Sequence, residues 1–449
     1  MSKRNRKQRL PGPVGQVTID SLAHDGRGVA HIDGKAVFIE GALPGEQVGF
    51  EYLVTHSKFD EGTATGIHRA SVDRVTPRCP HFGVCGGCSL QHMEAGAQIR
   101  AKQQVLLDNL QRIGGVVPAN VLPPLTGPVW GYRNKARLGV KHVTRKGRVL
   151  VGFRERRAPY VADLSRCEVL HPSVGERIEQ LAGMLGELAG RARIPQVEVA
   201  VSDTATALVF RHLDPLSEAD QSRLRAFADE YRLHVYLQPA GPGSVQALVP
   251  LDSVLSYSLP EQNIELRFRP NDFTQVNSVI NRRMIERVLG MLALDRSDTV
   301  LDLFCGLGNF TLPMARLAGS VTGVEGSAGL VGRARDNAML NAIDNATFHV
   351  ADLEEDQRHA TWAGGGYNKV LLDPPRSGAA GVLDVLGNIH PQRIVYVSCH
   401  PGSLARDAGT LVDTYGYRLE AAGVMDMFPH TAHVESIALF EAGRARVRQ

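Results

Sequence analysis

The stretch VLDLFCGLGNF, residues 300–310, decides the fold of the C-terminal part of this 449-residue sequence. An apolar strand runs into a glycine turn at Gly306 and Gly308, and a helix is predicted to follow. Glycines in such a turn let the backbone approach a ligand closely. A dinucleotide site would need a further glycine at position 311, where the chain has Thr311, so the motif disfavours NAD.

A regular alternation surrounds this stretch. From about residue 271, helical segments alternate with strand-like runs, which are Thr299–Cys305, Val321–Glu325, Ala346–Asp352, Val370–Asp373 and Arg393–Cys399. Such alternation is typical of βαβ units and predicts a Rossmann-like domain over residues 271–449, with a sheet dominated by parallel strands. HVESIALFEA adds one more strand near the end.

The strand ends mark a candidate cofactor site. Ligands of open α/β sheets bind beyond the carboxyl ends of the strands, and the side chains expected there are Phe304, Asn309, Glu325, Asp352 and Asp373. An acid after the second strand can accept hydrogen bonds from ribose hydroxyls, and one after the third can meet an adenine edge. This pattern suits S-adenosylmethionine. Taken singly, each acid could equally cap a helix or solvate a loop.

VYVSCHP, residues 395–401, places Cys399 at the same crevice. Its thiol could be a small buried hydrophobe, a metal ligand or a nucleophile. The helix predicted after Pro401 should bring partial positive charge near the thiol and favour the thiolate. A methyltransferase needs a thiolate when its target is a pyrimidine C5, because addition at C6 turns C5 into an enolate-type nucleophile.

That chemistry also needs a base to remove the C5 proton. Glu435 is the candidate, because it lies among apolar residues that could raise its pKa. His430 and His433 are rival bases, or they only pack and orient. Cys305, inside the glycine turn, is interpreted as a small buried filler.

The N-terminal and central segments follow different patterns. Residues 1–11 predict a basic disordered tail. Residues 12–70 predict a small closed β-barrel, with strands at Gly15–Ala23, Val29–Ile32, Lys35–Glu40 and Gln47–Ile67 and with turns at Asp25-Gly26, Asp33-Gly34 and Pro44-Gly45. Residues 71–270 predict a mixed α+β domain with helices near 96–113 and 173–190.

Four further cysteines point to a metal site in that central domain: Cys79, Cys85, Cys88 and Cys167. No apolar signal core or membrane-spanning run is present, which predicts a cytoplasmic protein with no membrane partner and reduced thiols. A cluster of three cysteines with one distant partner suits either a [4Fe–4S] cluster or zinc, and the spacing alone does not separate them.

A basic stretch points to nucleic acid. The formal net charge is only +3, but residues 130–166 contain eleven Lys or Arg against two acids, interleaved with aromatic residues. Positive charge neutralises phosphates and aromatic rings stack on bases. Arg133, Lys135 and Arg137 are the candidates for RNA contact, and the alternative is an ordinary solvated face.

Together these motifs resemble a known family. FTQVN (273–277), DLFCGLGNF, DPPR (373–376), YVSC and DMFPHTAHVES are similar to the RNA uridine-C5 methyltransferases, and LAHDGRGVAHIDGKAVFIEGALPGEQV resembles a TRAM domain, an OB-like RNA-binding module. The resemblance implies that Gln275 joins the cofactor-site residues, that Cys399 is the nucleophile and Glu435 the base, and that the four cysteines hold a [4Fe–4S] cluster. One departure is His400, where the family usually has asparagine.

The resemblance also implies a substrate. A barrel together with the four cysteines points to the family branch that methylates 23S ribosomal RNA at a uridine of the 1939 type, as a monomer with no evident protein partner. A dual-site ribosomal enzyme, a transfer-RNA enzyme and a non-catalytic RNA-binding assembly factor are the alternatives. Cytosine-C5 methylation is disfavoured, because residues 373–376 lack the cysteine that such RNA enzymes usually carry.

Overall fold

The computed structural model describes residues 10–443, so residues 1–9 of the predicted N-terminal tail lie outside the described residues. The chain forms two compact units. The first contains the residues up to Lys102 together with Pro429–His433, and the second contains Gln103–Phe428 and the residues from Val434 onward. The three-domain division with boundaries near residues 70 and 270 stays a prediction.

The first unit is built around a curved six-stranded sheet. Its strands are β1 (Val14–Thr18), β2 (Ser21–Leu22), β3 (Gly28–Ile32), β4 (Lys35–Glu40), β5 (Gln47–Thr55) and β6 (Phe59–Arg69). The order is β1-β5-β6-β4-β3-β2, with β4 and β6 parallel and the other pairs antiparallel. Because β1 and β2 are consecutive pieces of one bent segment, the two edges of the sheet return toward each other, as a small barrel requires.

Sequence and structure agree on the turns of this barrel but not on its longest strand. Gly26, Gly34 and Gly45 all have positive φ angles, of 86°, 77° and 80°, as tight turns demand. The single strand predicted over 47–67 is wrong, because a turn closed by the bond from His56 N to Phe59 O (3.0 Å) divides it into β5 and β6.

Gln98 joins the returning segment 429–433 to the rest of the first unit. It lies on α1 (Ala95–Arg112), which matches the helix predicted at 96–113. Its Nε2 donates to Leu90 O (3.0 Å) and Met93 O (2.7 Å), and its Oε1 accepts from His430 N (2.8 Å). This bonding fixes the end of the cysteine-rich loop.

A second six-stranded sheet opens the second unit. The elements of this region are β7 (Asn120–Val121), β8 (Lys135–Val143), β9 (Arg148–Gly152), α2 (Pro172–Gly175), α3 (Ile178–Glu187), β10 (Gln196–Val201), β11 (Thr206–Arg211), α4 (Glu218–Tyr231), β12 (Leu233–Gln238), β13 (Gln246–Val249), β14 (Leu255–Leu259) and β15 (Ile264–Phe268). The sheet order is β13-β12-β11-β10-β8-β9, and β14 and β15 form a separate hairpin. The single helix predicted over 173–190 is wrong, since α2 and α3 divide at 176–177.

The part of the chain from residue 278 onward completes the second unit. Its elements are α5 (Ser278–Leu292), β16 (Thr299–Leu303), α6 (Thr311–Leu317), β17 (Ser320–Glu325), α7 (Ala328–Leu340), β18 (Ala346–Val350), β19 (Lys369–Leu372), α8 (Leu383–Ile389), β20 (Arg393–Ser398), α9 (Pro401–Asp413), β21 (Tyr417–Met425) and β22 (Glu435–Ala442).

These strands form one eight-stranded sheet in the order β18-β17-β16-β19-β20-β22-β21-β7. The strands from β16 to β20 are mutually parallel, and β22 inserts antiparallel between β20 and β21. The buried strands β16 and β19 occupy its centre, as continuous apolar runs predict. The predicted Rossmann-like sheet, dominated by parallel strands, is confirmed. The predicted cofactor site lies at the carboxyl ends of these strands.

Across residues 10–443, no helix combines the length and apolar character that crossing a membrane would require.

Candidate active site

The glycine turn after β16 is held in an unusual conformation. Phe304 has φ +67°, a left-handed value that residues with a side chain rarely adopt. The N–H groups of Phe304 and Cys305 both donate to Val324 O, at 2.9 and 3.1 Å, and lock the turn onto β17. Strained backbone of this kind is concentrated at functional sites. Cys305 is buried at 3% exposure, and burial raises its pKa, which confirms its interpretation as a filler.

Glu325 connects the turn to the helix that follows β17. Its Oε2 accepts from Gly306 N (3.2 Å) and its Oε1 accepts from Ser327 N (2.9 Å). Asp352, exposed just after β18, likewise accepts from Glu354 N through Oδ1 (3.0 Å). Both acids therefore cap local backbone, and a carboxylate that accepts one or two bonds retains lone pairs for a ligand.

Both the oxygen and the nitrogen of the Asn309 side-chain amide are hydrogen-bonded within the protein. Its Oδ1 accepts from Tyr257 Oη (2.8 Å) and Asn281 Nδ2 (3.0 Å), and its Nδ2 donates to Asn281 Oδ1 (2.9 Å). These bonds anchor the glycine turn to α5. The second amide hydrogen of Asn309 is the group left for a ligand.

The loop that carries Gln275 is clamped from β8. Lys135 Nζ donates to Pro270 O (2.5 Å) and to Asp272 O (2.6 Å), and Asn134 N donates to Val276 O (2.8 Å). Burial lowers the pKa of Lys135 to about 8. Lys135, which is half-buried, therefore supports the loop that carries Gln275, and its role as an RNA contact stays a prediction.

The neighbours of Lys135 also make contacts within the protein, although the Arg137 side chain is 70% exposed. Arg133 Nε donates to Lys135 O (3.1 Å) and its guanidinium lies 5.4 Å from the ring centre of Phe153. Arg137 pairs with Glu198 at 2.9 Å. In the sequence, only the charges of this stretch could be counted. The sequence could not show that the loop carrying Gln275 packs against β8, because the hydrogen bonds that hold it join residues 135 or more positions apart in the sequence.

Two carboxyl groups flank the turn, of which Asp302 is fully buried and Asp373 is half-buried. Burial raises the pKa of Asp373 to about 7. Burial also raises the pKa of Asp302 to about 8, opposed by its hydrogen bond from Thr311 Oγ1 (2.5 Å) and reinforced by Asp373 and Glu325. Sequence reasoning missed Asp302, although an acid inside an apolar strand was its visible signal.

Cys399 and His400 are the two residues between the end of β20 and the start of α9. His400 N donates to Ser398 Oγ (3.1 Å), and Ser398 Oγ donates to His400 O (3.0 Å), so the turn is closed on both sides of the cysteine. The sulfur is half-buried. The prediction that the thiol stands where the strand ends is confirmed.

The prediction of a low thiol pKa is wrong. The pKa of Cys399 is raised to about 11, chiefly by burial and then by the carboxylates of Glu435 and Asp373. Arg376 and a backbone hydrogen bond act in the opposite direction without overcoming these effects. The resting thiol is therefore protonated at neutral pH, and two acids lie close enough to influence it.

Glu435 begins β22 and is half-buried. Ser436 pairs with Ser398 across the sheet, and continuing that antiparallel register places Glu435 opposite Cys399. His430 has a structural task within the first unit, where its Nδ1 lies 3.2 Å from Gln98 Nε2 and its carbonyl accepts from Ser89 N and Leu90 N. His433 is exposed.

The four predicted metal ligands lie in half-buried loops. In the first unit, Gly87 N donates to Cys85 Sγ at 3.4 Å, and Cys79 N donates to Gln91 Oε1 at 3.1 Å. In the second unit, Cys167 N donates to Gly175 O at 2.8 Å. Within residues 10–443, no set of three or more His, Cys, Asp or Glu side chains is arranged as a metal site.

A cavity of about 500 Å³ lies between β15 and α7. Its lining includes the arginines 267, 269 and 333, and neither the glycine turn nor Cys399 contributes to it. Arg333 is already paired with Asp272. The cavity is thus separate from the crevice described above.

Comparison with known proteins identifies the family to which this chain belongs. Residues 202–442 match the family described as tRNA (uracil-5-)-methyltransferase, and residues 8–49 match the TRAM domain. The chain belongs to the uracil-5 RNA methyltransferase family. The match confirms the resemblance that the motifs indicated.

Full-length relatives within the family are closely similar. A protein of Xanthomonas axonopodis pv. citri, named 23S rRNA (uracil(1939)-C(5))-methyltransferase RlmD, is 55% identical over 441 residues, covering 98% of this chain and 99% of that protein. The protein of the same name from Alkalilimnicola ehrlichii is 53% identical over 438 residues, covering 97% and 98%. Both comparisons span the barrel as well as the methyltransferase region.

A solved structure shares the fold. The Pyrococcus abyssi tRNA (uracil-54, C5)-methyltransferase, in complex with S-adenosyl-L-homocysteine, aligns with a TM-score of 0.73 and covers 95% of this chain and 100% of its own. Its sequence identity is 24%. This likeness supports the architecture of the uracil-5 methyltransferase fold.

Proposed function

We propose that this chain transfers a methyl group from S-adenosylmethionine to C5 of a uridine in 23S ribosomal RNA, at the position numbered 1939. The observation that carries the proposal is similarity of 53–55% identity, over nearly the whole chain, to proteins named for that reaction. The register that sets Glu435 opposite Cys399 supports the chemistry.

The reaction begins at Cys399. Its Sγ adds to C6 of the uracil ring as the thiol proton passes to solvent, which makes the ring an enolate with nucleophilic C5. C5 then takes the methyl group, and S-adenosylhomocysteine leaves. Glu435 removes the C5 proton, the C6–S bond breaks, and the ring and the thiol are restored. The raised pKa of Cys399 means that proton loss accompanies addition.

The carboxyl edge of the sheet offers suitable groups for S-adenosylmethionine. Glu325 and Asp352 retain acceptor capacity for ribose hydroxyls and the adenine amine, and Phe304 supplies an apolar ring beside the glycine turn. Gln275 and Asn309 add amide groups, and Asp373 adds a carboxyl group. The donor supplies an electrophilic methyl group on a sulfonium, whose positive charge suits a crevice bordered by acids.

RNA binding is assigned to the barrel and to exposed basic residues of the central sheet. The TRAM match covers residues 8–49. Because Lys135 is half-buried and bonded to the 270–272 backbone, the better candidates in the basic stretch are Lys141, Arg145 and Arg154, which are all exposed. They can neutralise phosphates without disturbing the cofactor-side loop.

A [4Fe–4S] cluster on Cys79, Cys85, Cys88 and Cys167 is part of the proposal. The donor set fits, because four thiolates are the usual ligands of such a cluster. The N–H directed at Cys85 Sγ also fits, since hydrogen bonds to sulfur stabilise thiolate charge. Zinc is the competing occupant.

Methylation of 23S rRNA tests the proposal. The protein should transfer label from S-adenosylmethionine to a fragment containing position 1939, and nucleoside analysis should find 5-methyluridine. An unmethylated fragment, or label found in cytidine, would contradict it. Transfer to tRNA in place of the fragment would favour the tRNA activity in the family's name.

A further inference from the structure

Helix α9 begins with a histidine cap directly after Cys399. His400 is its N-cap residue, with φ −144° and ψ 105°, and Pro401 occupies the first helical position. Ser403 N donates to His400 Nδ1 at 3.1 Å. An N-cap side chain that accepts in this way satisfies one of the backbone donors that a helix leaves open at its start.

The cap fixes the protonation of the imidazole. A backbone N–H can only donate, so Nδ1 must present its lone pair, and the neutral ring carries its proton on Nε2. An imidazolium has N–H groups at both nitrogens and cannot accept this bond. It would also place a positive charge at the positive end of the helix dipole.

The capped turn is bonded to both sides of the proposed active site. On one side, the paired bonds between Ser398 and His400 enclose Cys399. On the other side, Ser403 Oγ donates to Arg376 O at 3.0 Å, which holds the loop that follows Asp373.

The next turn of α9 holds the same loop. Arg406 Nη2 donates to Ser377 O, and Ala379 N donates to Asp407 Oδ2, both at 2.8 Å. Loosening the first turn of the helix would therefore release the nucleophile and the loop behind Asp373 together.

We propose that His400 is a positioning residue, which acts as a neutral imidazole capping α9 so that Cys399 is held in place for addition. This inference rests on the proposed role of Cys399. Asparagine is among the best N-cap residues and does not titrate, whereas alanine cannot cap. The two substitutions therefore separate capping from any other property of the ring.

The test measures kcat and KM for methyl transfer, and the rate of adduct formation with 5-fluorouridine RNA, in the full-length protein. His400→Ala should lower kcat and the adduct rate about fivefold or more, with KM for S-adenosylmethionine little changed. His400→Asn should recover most of both rates. His359→Ala, at an exposed histidine outside the site, is the matched control.

Measuring the same rates over a range of pH adds a result that a simple loss of packing would not change. Charged groups near the turn include Asp373, Arg376, Glu435, Arg406 and Asp407. Because all of them remain in His400→Asn, their titrations cancel in a ratio. The ratio of wild-type to His400→Asn rates should fall at acid pH, at a point below the ordinary imidazole value of about 6.5, because the cap and the helix dipole both oppose protonation.

Failure of the capping role of His400 can be distinguished from failure of the proposed nucleophile role of Cys399. An unimpaired His400→Ala, a His400→Asn as defective as His400→Ala, or a pH-independent ratio would each overturn the capping role. If Cys399→Ala, measured in the same assay, still forms the adduct, the proposed nucleophile itself is wrong.

Discussion

Ser398 and Ser436 pair directly across β20 and β22, and Ser436 Oγ donates to Ser398 O at 3.2 Å. The residue after one serine is Cys399 and the residue before the other is Glu435. An antiparallel pair places these two opposite each other at the same end of the sheet. A nucleophile and a base that are 36 residues apart in sequence are thereby brought to one edge.

This pairing predicts that loss of either residue stops the reaction at a different point. Cys399→Ala cannot add to C6, so it should bind RNA and S-adenosylmethionine without transferring a methyl group. Glu435→Gln keeps the thiol but not the base, so it should stall as a covalent adduct with methylated RNA. A denaturing gel with labelled RNA should show a cofactor-dependent shifted band for Glu435→Gln only. Normal turnover by Glu435→Gln would assign the base elsewhere.

The raised thiol pKa predicts how Cys399 reacts with iodoacetamide. Because its pKa is about 11, its alkylation rate should rise about tenfold per pH unit between pH 7 and 10. Glu435→Gln removes a negative charge and should speed the reaction at pH 8, whereas Arg376→Gln removes a positive charge and should slow it. Peptide-resolved mass spectrometry follows this one cysteine. A rate that is already constant above pH 7 would show a low pKa instead.

The proposed cluster predicts iron in the purified protein. Protein prepared without oxygen should be brown and contain about four irons per chain. Cys167→Ser should lose the iron, and Cys305→Ala, which changes a buried cysteine outside the proposed set, should keep it. Metal analysis decides the matter, since stoichiometric zinc in anaerobic protein would contradict the assignment.

The exposed basic residues and the half-buried Lys135 should have different effects on binding. Replacing Lys141, Arg145 and Arg154 with alanine should weaken RNA binding and reduce the salt slope by about two, if each contacts one phosphate. Lys135→Met should instead weaken S-adenosylmethionine binding roughly tenfold, because two charge-assisted bonds to the 270–272 backbone are lost. Calorimetry with each ligand measures both effects, and Lys141→Met is the matched control for Lys135→Met. If either variant weakened the binding of RNA and of S-adenosylmethionine equally, the assignment of the exposed residues to RNA and of Lys135 to the 270–272 loop would be contradicted.

Whether a feature could be predicted from the sequence depended on how far apart along the chain its interacting residues lie. The strands near Cys305, Glu325 and Cys399 were found because apolar runs and glycine turns are local signals. The raised pKa of Cys399 was not found, because its chief cause is burial and its further causes are Glu435 and Asp373 from other strands, whereas only the helix after it is a local feature. Capping by His400 was also missed, since imidazole is not among the usual N-cap groups.

Asp302 predicts a pH dependence of stability. Its pKa is about 8 in the folded protein against an ordinary value of 3.8, so the folded state keeps a proton that the unfolded chain has lost. Its stabilising contribution is complete below about pH 4 and is lost as pH rises toward 8. Asp302→Asn stays neutral and can still accept from Thr311 Oγ1 through its amide oxygen.

The free energy of unfolding of the wild type, minus that of Asp302→Asn, should therefore fall steadily from pH 5 to pH 8. Urea unfolding at several pH values measures this difference, and groups shared by the two proteins cancel in it. Asp413→Asn, at an exposed acid on α9, is the control and should show a level difference. A level difference for Asp302→Asn as well would mean that Asp302 is ionised in the folded protein, and that the polar turn above it solvates the charge.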